Sequence, residues 1–209
     1  MIKSLAYASC YVYSPAGTGE ICERSRLLRS LLKDGDAHFM IKYALRVQQQ
    51  AEPWATLAGF FHVDDVLVPV PRSSTKRRGT WVAADLAHAL VLEGLGTTAW
   101  HGLRRVSPVP KSATAAPGGR PTVSRHYESF CVDRPPPHQP VGVVLIDDVI
   151  TKGRTLLAAA ARVRETFPEA QVRAFALLRT MGLVARVDHL LEPCTGEIKW
   201  QAGDARRIP

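Results

Sequence analysis

From about residue 60 onward the hydrophobic positions fall into short runs separated by longer stretches of helical spacing. Val66 to Val70, Val141 to Ile146 and Val172 to Leu178 are nearly continuous in apolar residues, as expected of strands covered on both faces in a parallel sheet. Trp81 to Leu92 and the Ala-rich Leu156 to Phe167 read as helices, the second stopped by Pro168. Thr98 to Leu103 and Tyr127 to Val132 read as further strands. Alternation of this kind predicts an α/β fold with three layers and a mainly parallel, doubly wound sheet. The first sixty residues carry helical spacing instead. Leu27, Leu28, Leu31 and Leu32 alternate with Arg24, Arg26, Arg29 and Lys33, the pattern of an amphipathic helix ending at Asp34-Gly35. Asp36 can cap a second helix to about Gln50, and Pro53 suits the first turn of a third. Residues 1–60 are therefore expected to be an N-terminal helical elaboration of the same domain. The core is expected over 61–182 and a C-terminal segment over 183–209, where Arg206 and Arg207 read as a polar tail. Pro135-Pro136-Pro137 reads as a stiff connector.

Composition adds limits. A chain of 209 residues with 46% hydrophobic content can bury one full core. No apolar run approaches the ~20 residues needed to cross a bilayer. The start, MIKSLAYASCYVYSPAG, has a brief apolar stretch with Tyr and Ser inside it, which argues against a secretory leader, so a cytoplasmic protein is expected. Cys10, Cys22, Cys131 and Cys194 match neither zinc-ligand nor disulfide spacing, and the histidines show no metal pattern. The net charge of +8 invites a nucleic-acid reading. The basic residues gather, however, at Arg72 to Arg78, Arg104-Arg105, Lys111 to Arg125 and Lys152 to Arg154, a distribution that suits a compact polyanionic ligand better.

The candidate chemistry lies in Val141 to Thr155, VGVVLIDDVITKGRT. The apolar run Val143 to Ile146 stops at Asp147 and Asp148. Thr151, Lys152, Gly153, Arg154 and Thr155 then supply hydroxyls, cations and one residue free to take φ > 0, immediately before a helix. Such a loop can hold a phosphate on backbone N–H groups. Adjacent carboxylates accept hydrogen bonds from neighbouring hydroxyls, so the pair suits a polyol. Together they describe a site for a phosphorylated ribose.

This segment resembles the phosphoribosyl pyrophosphate motif of the type I phosphoribosyltransferases, in which a buried strand, two acids and a T-x-G-x-T loop follow in this order. Val66 to Pro71 (VLVPVP) with Arg77, Arg78 and Gly79 is similar to the P-V-P strand end and R-G segment of the competence-protein-F (ComF) group of that family. That group usually continues F-N-Q, where this chain has Thr80-Trp81-Val82, and it often carries C-x-x-C pairs, which are absent here. The resemblance spans roughly residues 60 to 180. It implies a type I phosphoribosyltransferase-like fold and a magnesium-dependent transfer of the phosphoribosyl group to a nitrogen nucleophile, with release of pyrophosphate. Asp147 and Asp148 would bind the ribose hydroxyls and favour positive charge on the ring. Thr151, Lys152, Gly153, Arg154 and Thr155 would hold the 5′-phosphate, and Arg72, Ser73 and Ser74 would receive the pyrophosphate. Mg²⁺ would bind mainly to ligand oxygens and water.

A Pro-, Gly-, Ser- and Ala-rich stretch of about twenty residues between Arg105 and Arg125 is long enough for a lid. Lys111, as a catalytic group, and Arg120 are its candidate clamp on the leaving pyrophosphate, with Arg104, Arg105 and His126 behind them. In the resemblance, Thr151 stands where relatives using 6-oxopurines commonly carry an acid, which disfavours hypoxanthine and guanine. The acceptor is not named by the sequence, a homodimer is open, and no membrane partner is expected. The alternative is a non-catalytic module of the same fold that senses a ligand or associates with nucleic acid.

Overall fold

The computed structural model describes residues 2–75, 79–110, 119–133, 135 and 139–209. A sheet of seven strands forms its middle layer, in the order β3-β2-β6-β7-β1-β8-β9. These are β1 (Ser4–Tyr13), β2 (Val66–Pro69), β3 (Thr98–Ala99), β6 (Gly142–Ile150), β7 (Gln171–Thr180), β8 (Leu191–Gln201) and β9 (Asp204–Ile208). The pairs from β3 to β1 are parallel, and β8 and β9 join antiparallel. Helices α1 (Glu20–Asp34), α2 (Ala37–Ala51) and α3 (Val82–Leu92) cover one face. The other carries α4 (Val123–Ser129), α5 (Arg154–Thr166) and a two-stranded ribbon of β4 (Leu103–Arg105) and β5 (Phe130–Val132). The fold is therefore α/β with three layers and a mainly parallel sheet, as the pattern predicted.

Strand β6 shows why the apolar run is continuous. Val143 and Leu145 enter the core under α5, while Val144 and Ile146 enter the core under α2 and α3. All four are fully buried, because successive side chains point to opposite faces and both faces are covered. Ala158, Ala159 and Ala160 of α5 are also fully buried, since the helix is enclosed between the sheet and the layer of α4 and β5.

Several expectations are corrected. The N-terminal segment is not wholly helical, because it opens with β1, which lies between β7 and β8. Its polar residues obscured it in the sequence. Ser9 is buried with its hydroxyl 3.4 Å from Cys194 Sγ, and Tyr7 packs inside the core. Residues 52–61 form successive turns rather than a helix starting at Pro53. Thr98 to Leu103 divides between β3, which joins the main sheet, and β4, which begins the ribbon. Tyr127 to Val132 begins as helix: the Thr122 side chain caps α4 by accepting from Arg125 N, and Val123, His126 and Ser129 turn inward at three-residue spacing. Arg206 and Arg207 belong to β9, with Arg207 donating to Thr180 O at 2.6 Å, so they are no free tail.

The connections wind in opposite senses. From β2 the chain passes through α3 on one face to β3, and from β6 it passes through α5 on the other face to β7. Because β2 and β6 are neighbours, a topological switch point lies between their carboxyl ends, where open parallel sheets form a crevice.

Candidate functional site

The crevice is built by two strand ends held in register. Pro69 lies opposite Ile146, and Val70 N donates to Ile146 O at 2.8 Å. On the β6 side the strand continues through the acids to Ile150, further than the apolar run indicated, because β7 pairs with it as far as Arg179. Asp147 and Asp148 are half-buried at this end. Asp147 Oδ1 accepts the Asp148 N–H and Asp148 Oδ1 accepts the Val149 N–H, each at 2.9 Å. Burial, followed by the neighbouring Asp148 charge, pushes the Asp147 carboxyl well above its ordinary range, and Arg105 partly opposes that rise. Two acids that repel each other suit ligands that donate hydroxyls or carry a cation.

Arg105 is the residue the sequence undervalued. From β4 it donates through Nε to Arg72 O at 2.7 Å and through Nη1 to Ser129 Oγ, and its guanidinium lies 4.2 Å from the Phe130 ring centroid. Desolvation lowers it to about 10, and the charge of Asp147 acts in the opposite direction. One side chain thus joins the β2 end, the ribbon and α4 beside the acids. The sequence marks it only as a basic residue behind Lys111 and Arg120 in the candidate pyrophosphate clamp.

The β2 side is also tied in place. Arg72 Nη1 donates to Gly79 O at 2.7 Å, Ser73 O accepts from Val109 N at 2.9 Å, and Trp81 Nε1 donates to Val70 O at 2.9 Å. Trp81, two residues after Gly79, therefore holds the strand end. Ser73 and Ser74 follow on the same segment, with Ser74 exposed. Arg120 is exposed, and Lys111, Arg77 and Arg78 lie outside the described residues.

The phosphate-loop candidate has the expected backbone but a different use of side chains. Gly153 adopts φ 84° as the N-cap of α5, with its open side against β8: an added Cβ would lie 2.7 Å from Ile198 Cδ1. Thr151 Oγ1 is 3.1 Å from Thr180 Oγ1. Thr155 Oγ1 is 3.4 Å from His126 Nε2. Arg154 and Lys152, expected to face phosphate, both pair with Asp204 of β9. Their bonds hold the Asp204 carboxyl well below its usual range, Arg154 contributing most.

His126 lies beneath this loop at 3% exposure, and its Nδ1 is buried without a hydrogen-bond partner among the described residues. Burial lowers it to about 4, reinforced by Arg105, Arg154 and Arg125. Among the described residues, no three His, Cys, Asp or Glu side chains are grouped to hold a metal. The acid pair and an anionic ligand could nevertheless share a hydrated Mg²⁺, which usually takes few protein ligands. No described helix is long and apolar enough to cross a membrane.

No protein-family model matches the chain, and no curated protein matches it. Among solved structures, a crystal structure of adenine phosphoribosyltransferase is similar over 70% of each chain, with 19% identity and a TM-score of 0.38.

Proposed function

We propose that this chain binds 5-phosphoribosyl 1-pyrophosphate with Mg²⁺ and transfers its phosphoribosyl group to a nitrogen nucleophile, releasing pyrophosphate. The observation that carries the reading is the meeting of two segments at the switch point: the acids and loop of Asp147 to Thr155 lie beside the Pro69 to Ser74 strand end. A sugar between them has carboxylates for its hydroxyls, a helix-entry loop for its 5′-phosphate and a second strand end for its pyrophosphate.

In this reading Asp147 and Asp148 accept hydrogen bonds from the 2′- and 3′-hydroxyls. As the C1–O bond to pyrophosphate breaks, positive charge grows on the ring, and the fixed carboxylates favour that charge more than they favour the ground state. The Arg105 charge favours the anionic form of Asp147 and so offsets part of the rise that burial and Asp148 impose on it. The 5′-phosphate lies on N–H groups of residues 151–155, with Thr155 adding a hydroxyl. The β2 end, Arg72 to Ser74, receives the pyrophosphate, while Arg120 and Lys111 supply positive charge as it leaves. Bound Mg²⁺ would neutralise pyrophosphate oxygens.

Titration with phosphoribosyl pyrophosphate, with and without Mg²⁺, tests the reading. Saturable binding strengthened by Mg²⁺ is expected, and Asp147→Asn and Asp148→Asn should each weaken it about tenfold or more while leaving the fold intact. Parent and variants that bind alike would remove the ribose assignment. A nucleobase panel monitored for pyrophosphate release then identifies the acceptor.

A further inference from the structure

The C-terminal strand touches the candidate phosphate loop at several points. Asp204 Oδ1 accepts from Arg154 Nε at 2.5 Å, and Oδ2 accepts from Arg154 Nη2 at 2.6 Å and from Lys152 Nζ at 3.1 Å. The remaining Arg154 nitrogen, Nη1, donates to Pro121 O at 3.3 Å, where the chain enters α4. Arg207 reaches Thr180 O at 2.6 Å and Ile150 O at 3.4 Å. Gly153 lies against Ile198 of β8. The loop is thus held by the β8–β9 hairpin, and the Arg154 side chain is only 23% exposed.

These contacts have a chemical consequence. A planar guanidinium joined to a carboxylate through two parallel bonds is fixed in direction as well as in charge. With its third nitrogen also engaged, Arg154 is turned toward β9 and α4 and does not reach across the crevice. The loop offers a phosphate its N–H groups and hydroxyls, and those groups are useful only if the backbone is already in place. Arg154 is the first residue of α5, directly after Gly153, so fixing its side chain fixes the turn that presents those N–H groups.

We propose that Asp204 is a positioning residue for phosphate binding, acting through Arg154 to hold the loop of residues 151–155 in its binding conformation. The proposal rests on the phosphoribosyl reading of the same site. It makes a prediction opposite in sign to simple electrostatics. If Asp204 merely neutralised two nearby cations, removing its charge would strengthen binding of an anion. If it positions the loop, removing its charge weakens binding even though the site becomes more positive.

The experiment measures ribose 5-phosphate affinity by calorimetry for the full chain, Asp204→Asn, Arg154→Gln and the double variant, with phosphoribosyl pyrophosphate as a second probe. Asp204→Asn is expected to weaken ribose 5-phosphate binding about tenfold, and to have little further effect once Arg154→Gln is present. A role confined to overall stability would lower the melting temperature without this affinity loss or non-additivity. Arg154→Lys keeps the charge but not the paired bonds, so it should weaken binding similarly and serves if Asp204→Asn does not fold. Unchanged or tighter binding by Asp204→Asn or Arg154→Lys, or additive losses in the double variant, would overturn the positioning role alone. A parent chain that binds neither probe would overturn the phosphoribosyl reading together with this inference.

Discussion

At the scale of single residues, His126 offers a readout independent of any ligand. It is buried, it is near Arg105, Arg154 and Arg125, and its folded value is lowered to about 4, against an ordinary value of about 6.5. Above about 6.5 it is neutral in both folded and unfolded chains and adds no pH dependence. As pH falls from there toward 4, the unfolded chain takes up a proton that the folded protein refuses, so stability falls across that window. Denaturant unfolding at a series of pH values should show this slope in the parent and a flatter one in His126→Gln. The segment Tyr127 to Val132 is strand only from Phe130 onward, as β5, and its first three residues end α4. Aromatic and β-branched residues there favoured strand, but the Thr122 cap and the inward turn of His126 and Ser129 favoured one short helix first.

At the scale of elements, the loop between β6 and α5 was the most legible part of the site. Strand, acids and glycine appeared in the sequence in the order in which they are used, because they are neighbours along the chain. The direction of the loop cations was not legible, since Asp204 is fifty residues from Arg154 and reaches it only after β9 has paired with β8. Gly153 tests the joint between these elements. Gly153→Val would introduce a branched side chain at φ 84° and against Ile198, so it should lose phosphate binding and also lower stability by roughly 1–3 kcal/mol through backbone strain and overpacking. Calorimetric affinity together with chemical denaturation would check both effects. Parental affinity in this variant would count heavily against the loop as the phosphate site.

At the scale of the whole molecule, the two edges of the sheet have different work. The carboxyl edge carries the crevice. Near the opposite edge, before β2, Asp65 is 1% exposed and accepts from Arg173 Nη2 of β7 at 2.6 Å and from His62 N at 2.7 Å, while Arg173 also donates to Phe60 O. Asp65→Ala should therefore cost about 3–5 kcal/mol by leaving a largely enclosed guanidinium, 13% exposed, without its anion. The folded fraction should keep its affinity for phosphoribosyl pyrophosphate. Unfolding curves and titration of the same preparation separate the two quantities, and an affinity loss at saturating folded fraction would show that the edges are coupled.

By itself the sequence determined the alternation of strand and helix, the doubly covered β6, and the adjacency of two acids to a glycine-bearing loop. Each depends on residues close along the chain, where side-chain period, capping and backbone freedom act locally. The tertiary structure alone decided that β1 lies inside the sheet, that the carboxyl ends of β2 and β6 share a crevice, that Arg105 comes close enough to Asp147 for the two charges to act on each other, and that β9 holds the phosphate loop. These outcomes follow from burial and pairing among segments far apart in sequence. Ser9 and Tyr7 read as polar interruptions until neighbouring strands cover them, and Asp204 meets Arg154 only once the sheet has brought β9 beside the loop.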